Sequence, residues 1–370
     1  MRISPLKEPL SAAAAVWGER FGVETALRFA DRRAEYEAVR NAAGLTDFSW
    51  MRAFTLPEDK GMDFLDALVA GNVPKIRFGR MLHTFLADAD GLLVADCYVA
   101  NNDKEFLFLC EPIVTDDSFD ALVSKTGLAE VSGQDLSATH ALIGLDGFKS
   151  WEIVRKLFGS DVLGLPYLSV ENFTFEGHPV RFFRAGKTGE FGYLMLVPNA
   201  VAPALLAACK AGVEQLGGRL CGAEVHNDLR LDGRFFNIHS EGLRARDPLV
   251  LGLQWMIDME KGKFSGSEAI FRRRAEGLKR KVIGIAAAPE QDAILQNGSA
   301  LYHEGRLVGE VAARCFSWAL GKPLALAVFP IELAYSGLTF RLGSADGPVV
   351  ESISMPPIMP KSLTVKLDEM

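Results

Sequence analysis

The stretch GKTGEFGYLMLVP, residues 186–198, sets a carboxylate, Glu190, among three glycines ahead of an apolar run. A tight turn needs Gly186, Gly189 and Gly192 for positive φ or close backbone approach, but it does not need an acid between them. A glutamate in a turn is ordinarily solvated. The alternative is that its two oxygens meet a ligand edge with two parallel N–H donors, the geometry a carboxylate recognises best. Asp96 poses the same question. In GLLVADCYVA, period-two alternation puts it on the face of Val94 and Tyr98, inside an apolar strand where an unpaired buried acid is costly. It either faces water or caps a loop, or it is held for a cationic or hydrogen-bond-donating ligand. Arg230, in HNDLRLDGRFF, either pairs with Asp228 or Asp232 or supplies charge to an anionic ligand.

Other chemistries lack their motifs. AGKTGE is not a phosphate loop, because the required glycine at position 181 is Arg181. No serine has the glycines of a nucleophile elbow, no His-Glu-x-x-His occurs, and no dinucleotide fingerprint follows the first strand. His83, His140, His178, His226, His239 and His303 are scattered singly, and no metal site is expected. Cys97, Cys110, Cys209, Cys221 and Cys315 are odd in number and contain no CxxC pair, which favours a reducing compartment.

The 370 residues are 49% hydrophobic and 24% charged with a net charge of −7, the composition of a globular chain of two or three domains. An acidic balance argues against a nucleic-acid partner. The basic cluster FRRRAEGLKRK reads as a solvated helix face. The start, MRISPLKEPLSAAAAV, is interrupted by Pro5, Lys7, Glu8 and Pro9 and so lacks a signal-peptide core. No apolar run reaches the ~18 residues needed to span a bilayer. A cytoplasmic protein without a membrane partner is expected.

These residues must be positioned by folded elements. DRRAEYEAVRNAA, residues 31–43, has helical spacing with Gly44 as its stop, and LTDFSWMRAFTLP reads as one strand. GMDFLDALVAGNV is an amphipathic helix, followed by three short strands through residue 112 and a helix in IVTDDSFDALVSKTGL. HPVRFFRA and YLMLVP make a hairpin around Glu190, and Ser265 with Glu268 forms a capping box. From residue 281 onward only short strands separated by turns remain, an all-β barrel or sandwich.

Together these stretches resemble the folate-dependent aminomethyltransferase family, the T-protein of the glycine cleavage system and its relatives. EYEAVRNAAGLTDFSWM, DADGLLVADCYV, GKTGEFGYLMLVP, LRLDG, DPLVLGLQWMIDMEKGKFSGSEAI and GRLVGEVAARCFSWALGKPLALAVF match family segments in order, from about residue 31 to residue 355. The resemblance implies an α+β fold of three domains in a cloverleaf: residues 1–51 with 135–276, residues 52–134 carrying Asp96, and a C-terminal β-barrel over 277–370. It implies tetrahydrofolate as cofactor in a central channel, with Glu190 binding the pterin and Asp96 catalytic. Arg230, Trp255, His83, Phe108 and Cys110 complete the implied folate-binding set.

The implied reaction moves a methylene group from an aminomethyl unit on a lipoyl carrier to folate N5, releasing ammonia. The basic stretch 272–281 could dock an acidic carrier. Two other functions stay open. One is demethylation of an N-, O- or S-methylated small molecule onto the same folate. The other is non-catalytic folate binding in iron–sulfur assembly, whose KGCYxGQ-like signature is here KGKFSGSE with Lys263 in place of the cysteine. The chain also departs from the family pattern at Ala95, where the first acid of a DD pair is lost, and at Lys187, where a tyrosine is common.

Overall fold

The computed structural model describes residues 2–13, 15–20, 22–102, 104–113, 119–124 and 133–366. The expected N-terminal helix is Arg32–Asn41, and the Asp31 side chain caps it by accepting the Arg33 N–H. LTDFSWMRAFTLP is not one strand. Gly44–Asp47 joins a six-stranded sheet and Arg52–Pro57 a five-stranded one. Between them the Met51 N–H bonds the Phe48 carbonyl and Asp47 caps the Ser49 N–H, making a turn.

The five-stranded sheet is the expected meander of Met81–Ala87, Leu93–Asn102 and Glu105–Pro112, extended by Arg52–Pro57 and Gln134–Asp135. One face takes Phe64, Leu65 and Leu68 of the helix Glu58–Leu68 against Cys97, Val99, Phe106, Phe108 and Cys110. Strand alternation turns Tyr98, Leu107 and Leu109 to the other face, where they meet Leu142, Phe183, Leu194 and Leu196 of the six-stranded sheet. Of the helix expected in IVTDDSFDALVSKTGL, Phe119–Ser124 is helical and the rest lies outside the described residues.

The six-stranded sheet runs Ser169–Phe175, His178–Arg184, Gly192–Pro198, His140–Asp146, Gly44–Asp47, Arg219–Leu220. The hairpin around Glu190 joins its second and third strands. The capping box does not form. The helix begins at Ser267 after Gly266 at φ 79°, and the Ser265 hydroxyl donates to the Ala87 carbonyl instead.

Six strands between Arg280 and Ile353 close into a barrel. The helix Val225–Asp232, which carries Arg230, is clamped between the barrel and the sheets. Leu231 packs among Val282, Ala313, Cys315 and Leu324, while Val225 and Leu229 pack on Tyr36 and Val39. Among the described residues no helix is long and apolar enough to cross a membrane.

Candidate functional site

The tight hairpin between Leu93–Asn102 and Glu105–Pro112 pairs Asn102 with Glu105, and that register sets Asp96 directly opposite Glu111. His83, opposite Tyr98, stands one pleat along on the same face. Asp96 and Glu111 are both 0% exposed. Two adjacent buried carboxylates survive only with cations beside them. Lys187 Nζ supplies one, 2.5 Å from Asp96 Oδ2 and 3.5 Å from Glu111 Oε1. Arg230 supplies the other through two parallel bonds to Glu111, at 2.8 and 2.7 Å.

Burial opposes ionisation of both acids, but the charges outweigh it. Lys187 and then His83 hold Asp96 below the usual aspartate range, and Arg230 and then Lys187 hold Glu111 well below the glutamate range. Burial keeps His83 neutral below its ordinary value. Its Nε2 lies 2.7 Å from Asp96 Oδ1, and against an ionised acceptor that nitrogen carries the proton and donates. His239 and His226 are likewise pushed well down by burial.

A cavity of about 20 Å³, room for roughly one water, opens between the two sheets beside this cluster. Tyr98, Glu111, Asp146, Lys187, His226 and Arg230 line it, with Phe48 and Met51 as apolar wall. Asp96 lies one ion pair behind it, screened by Lys187. Asp146 is the acid here with unused lone pairs. It is 2% exposed, and its hydrogen-bond partner among the described residues is Thr188 Oγ1 at 3.3 Å. Burial pushes its pKa up to about 7. The flanking glycines make room for it: a Cβ on Gly186 or Gly192 would meet Asp146 Oδ1 at 2.8 or 2.9 Å.

Glu190 does not line this cavity. One oxygen accepts from the Lys361 N–H at 3.2 Å and from Arg40 at 3.4 Å, and the other accepts from the Ser362 N–H at 2.9 Å and the Ser362 hydroxyl. The two-donor edge foreseen for Glu190 is present, but it belongs to the C-terminal segment Lys361–Thr364. Phe108 and Cys110 alternate with Leu109 and Glu111, so they point to the opposite face, into the core beneath Glu58–Leu68. That parity takes them out of the cavity wall. Trp255 is 64% exposed, at the surface edge-on to the His83 ring 5.4 Å away. Asp96, His83 and Arg230 are therefore gathered in one cluster, whereas Glu190, Trp255, Phe108 and Cys110 lie around it.

Sequence reading missed Glu111 and Asp146 and took Lys187 only as a departure from pattern. Glu111 carried the same signal as Asp96, a lone acid in FLFLCEP, and the hairpin register would have placed the two opposite each other. Asp146 follows an apolar strand and looks like an ordinary turn residue.

Two sheets sharing a packed face, a closed barrel against them and a buried charge cluster at their junction define a three-domain α+β protein built around a central polar site. Comparison with known proteins agrees. The GCVT N-terminal domain matches residues 6–261 and the glycine cleavage T-protein C-terminal barrel domain matches residues 280–358. The aminomethyltransferase of Thermoanaerobacter sp. (strain X514) is 27% identical over 313 residues, 84% of each chain. That of Synechococcus sp. (strain RCC307) is 29% identical over 318 residues, 85% of this chain and 87% of its own. The crystal structure of glycine cleavage system aminomethyltransferase T from Bartonella henselae superposes with a TM-score of 0.81 at 19% identity, covering 97% of this chain and 98% of that one. The chain belongs to the glycine cleavage T-protein family and has its fold.

Proposed function

We propose that the protein is a tetrahydrofolate-dependent one-carbon transferase, with aminomethyl transfer from a lipoyl carrier as its reaction. The carrying observation is Asp96, a buried carboxylate held ionised by Lys187 and oriented by neutral His83, in a chain matched by the family along both its parts.

The donor set suits a folate. Asp146 offers free acceptor positions to a heterocycle edge with two N–H donors, and Tyr98, Phe48 and Met51 give it flat and apolar walls. The cavity as it stands holds about one water, so side chains that line it would have to move to admit a bicyclic ring. When bound, tetrahydrofolate supplies a nucleophilic N5 that accepts the one-carbon unit. Asp96 then stabilises the positive charge that develops at the attacking amine and takes up its proton. His83 Nε2–H holds the carboxylate in place, and the bidentate Glu111–Arg230 pair keeps the neighbouring strand rigid. A cytoplasmic location accords with five buried free cysteines.

Demethylation is the second reading, and Lys187 favours it. Both buried acids are neutralised by the protein's own cations, so the site does not demand an ammonium from the donor. The discriminating experiment incubates the protein with tetrahydrofolate and an aminomethylated lipoyl carrier, and separately with N-, O- and S-methylated compounds. Release of ammonia with methylenetetrahydrofolate supports the first reading, and formation of methyltetrahydrofolate supports the second. Neither product from any donor would contradict the transferase assignment.

A further inference from the structure

Arg20 is a buried cation that forms no contact ion pair among the described residues, and Glu111 and Glu224 act on it only from further off. It closes the strand Val16–Arg20 and is 8% exposed. Its Nη1 donates to the Ala223 carbonyl at 3.0 Å, while Nε and Nη2 have no hydrogen-bond partner among the described residues. The guanidinium carbon lies over the Trp50 ring, 4.7 Å from its centroid. Trp50 is 1% exposed, and its indole Nε1 is also without a partner among the described residues.

A buried unpaired charge costs several kcal/mol, and a buried donor left unsatisfied costs about 1–3 kcal/mol more. Such an arrangement persists where something outside the chain completes it. The atoms left over have a definite shape. Nε–H and Nη2–H form the side-on edge of the guanidinium, which binds a carboxylate through two parallel bonds.

The surroundings support an anion and no second cation. Asp96 and Glu111 are matched by Lys187 and Arg230, and His83, His226 and His239 are held neutral by burial. Burial, and then the nearby charge of Arg230, draw the Arg20 pKa down to about 10 against the opposing pull of Glu111 and Glu224, which still leaves it cationic at neutral pH. It also adjoins the site. Trp50 and Phe48 stack around His226 at centroid distances of 6.4 and 4.8 Å, and Phe48 and His226 both line the cavity.

We propose that the side-on edge of Arg20, with the Trp50 indole N–H, is a subsite for a carboxylate borne by a ligand of the adjoining cavity. Resting on the transferase reading, the carboxylate belongs either to the one-carbon donor or to the glutamate of the folate. In both cases the subsite selects an acid over its neutral amide.

The test is thermal denaturation and calorimetric titration of the full chain with benzoate and benzamide, for wild type, Arg20→Met, Arg20→Lys and Trp50→Phe. Saturating benzoate should raise the wild-type melting temperature by about 2–4 °C, and benzamide should not. Arg20→Met should bind benzoate about 10- to 100-fold more weakly yet melt no lower than wild type, because the unpaired charge is gone. A purely structural arginine would give the reverse: a lower melting temperature with the benzoate response kept. Arg20→Lys keeps the charge without the fork, and Trp50→Phe keeps the stack without the N–H, so each should weaken binding. Equal effects of acid and amide, or an undiminished response in Arg20→Met, would overturn the proposal.

Repeating the titration with saturating 5-formyltetrahydrofolate separates the sources. Unchanged benzoate affinity assigns the subsite to the donor, and competition assigns it to the folate glutamate. Arg20-dependent benzoate binding in a protein that binds no folate would sink the transferase reading and leave the subsite standing.

Discussion

Asp96 and Glu111 face each other directly across two antiparallel strands, both fully buried and both ionised. Like charges so placed repel. Lys187 bridges them and Arg230 grips Glu111, so the repulsion is converted into a four-residue network that fixes where the Asp96 carboxylate can stand.

Asp96→Asn keeps the size and one acceptor of the side chain but removes its charge and basicity. Folate affinity should stay within a few-fold of wild type, and turnover should fall by about 100- to 10,000-fold. Single-turnover kinetics beside a binding titration check this, and wild-type turnover would remove Asp96 from the mechanism.

Glu111→Gln leaves Arg230 buried without its charge partner. Removing one member of a buried pair costs about 3–5 kcal/mol, which urea denaturation should report as a markedly lower midpoint. An unchanged midpoint would show that the pair contributes nothing to holding the junction.

Lys187→Met removes the nearest cation from Asp96, so burial is no longer offset and the carboxyl pKa rises. The acid limb of the kcat/KM profile should move to higher pH. A profile that does not move would mean that Lys187 does not set the charge of Asp96.

How far the sequence carried depended on what was local. The meander, the Glu190 hairpin and the C-terminal barrel were legible because turn residues and period-two alternation are local signals. The break inside LTDFSWMRAFTLP was not, since only Asp47 and Ser49 interrupt its apolar residues there, and the chain turns where two different sheets claim its ends. In the site, Asp96 was conspicuous as an acid in an apolar strand. Its partners were hidden by distance: Lys187 lies 91 residues away, and Arg230 is 119 residues from Glu111. Glu190 looked ligand-facing because nothing near it in sequence could satisfy it, whereas its donors come from Lys361 and Ser362.

Glu190 and Asp146 are separable as folate anchors. Asp146 faces the cavity between the sheets with acceptors to spare, whereas both Glu190 oxygens are engaged by Lys361 and Ser362 at a separate cleft lined by Tyr36, Arg40 and Trp318. Asp146→Asn should weaken binding of 5-formyltetrahydrofolate about 10-fold or more. Glu190→Gln should chiefly lower stability, by about 1–3 kcal/mol, by loosening Lys361–Thr364. The opposite pattern in calorimetry and thermal melts would restore Glu190 as the anchor.

Asp146 also gives a pH signature. Burial pushes its folded pKa up to about 7, above the ordinary aspartate range, so the folded chain binds the proton more tightly. Its contribution to stability is therefore full below about pH 4 and is lost as pH rises through about 7. Arg230, Arg184, Arg40 and Tyr167 face it and are unchanged in Asp146→Asn, so the difference between the two proteins isolates this group. The variant should gain stability relative to wild type between pH 5 and 8, by roughly 2–3 kcal/mol. A constant difference would show that Asp146 does not titrate in that range.

The most direct test of the central claim is calorimetric titration of the wild-type protein with 5,6,7,8-tetrahydrofolate. Saturable binding of one folate per chain, retained in Asp96→Asn, is the predicted result. No binding under conditions where the protein is folded would contradict it, and the charge cluster at the junction would then be a structural core.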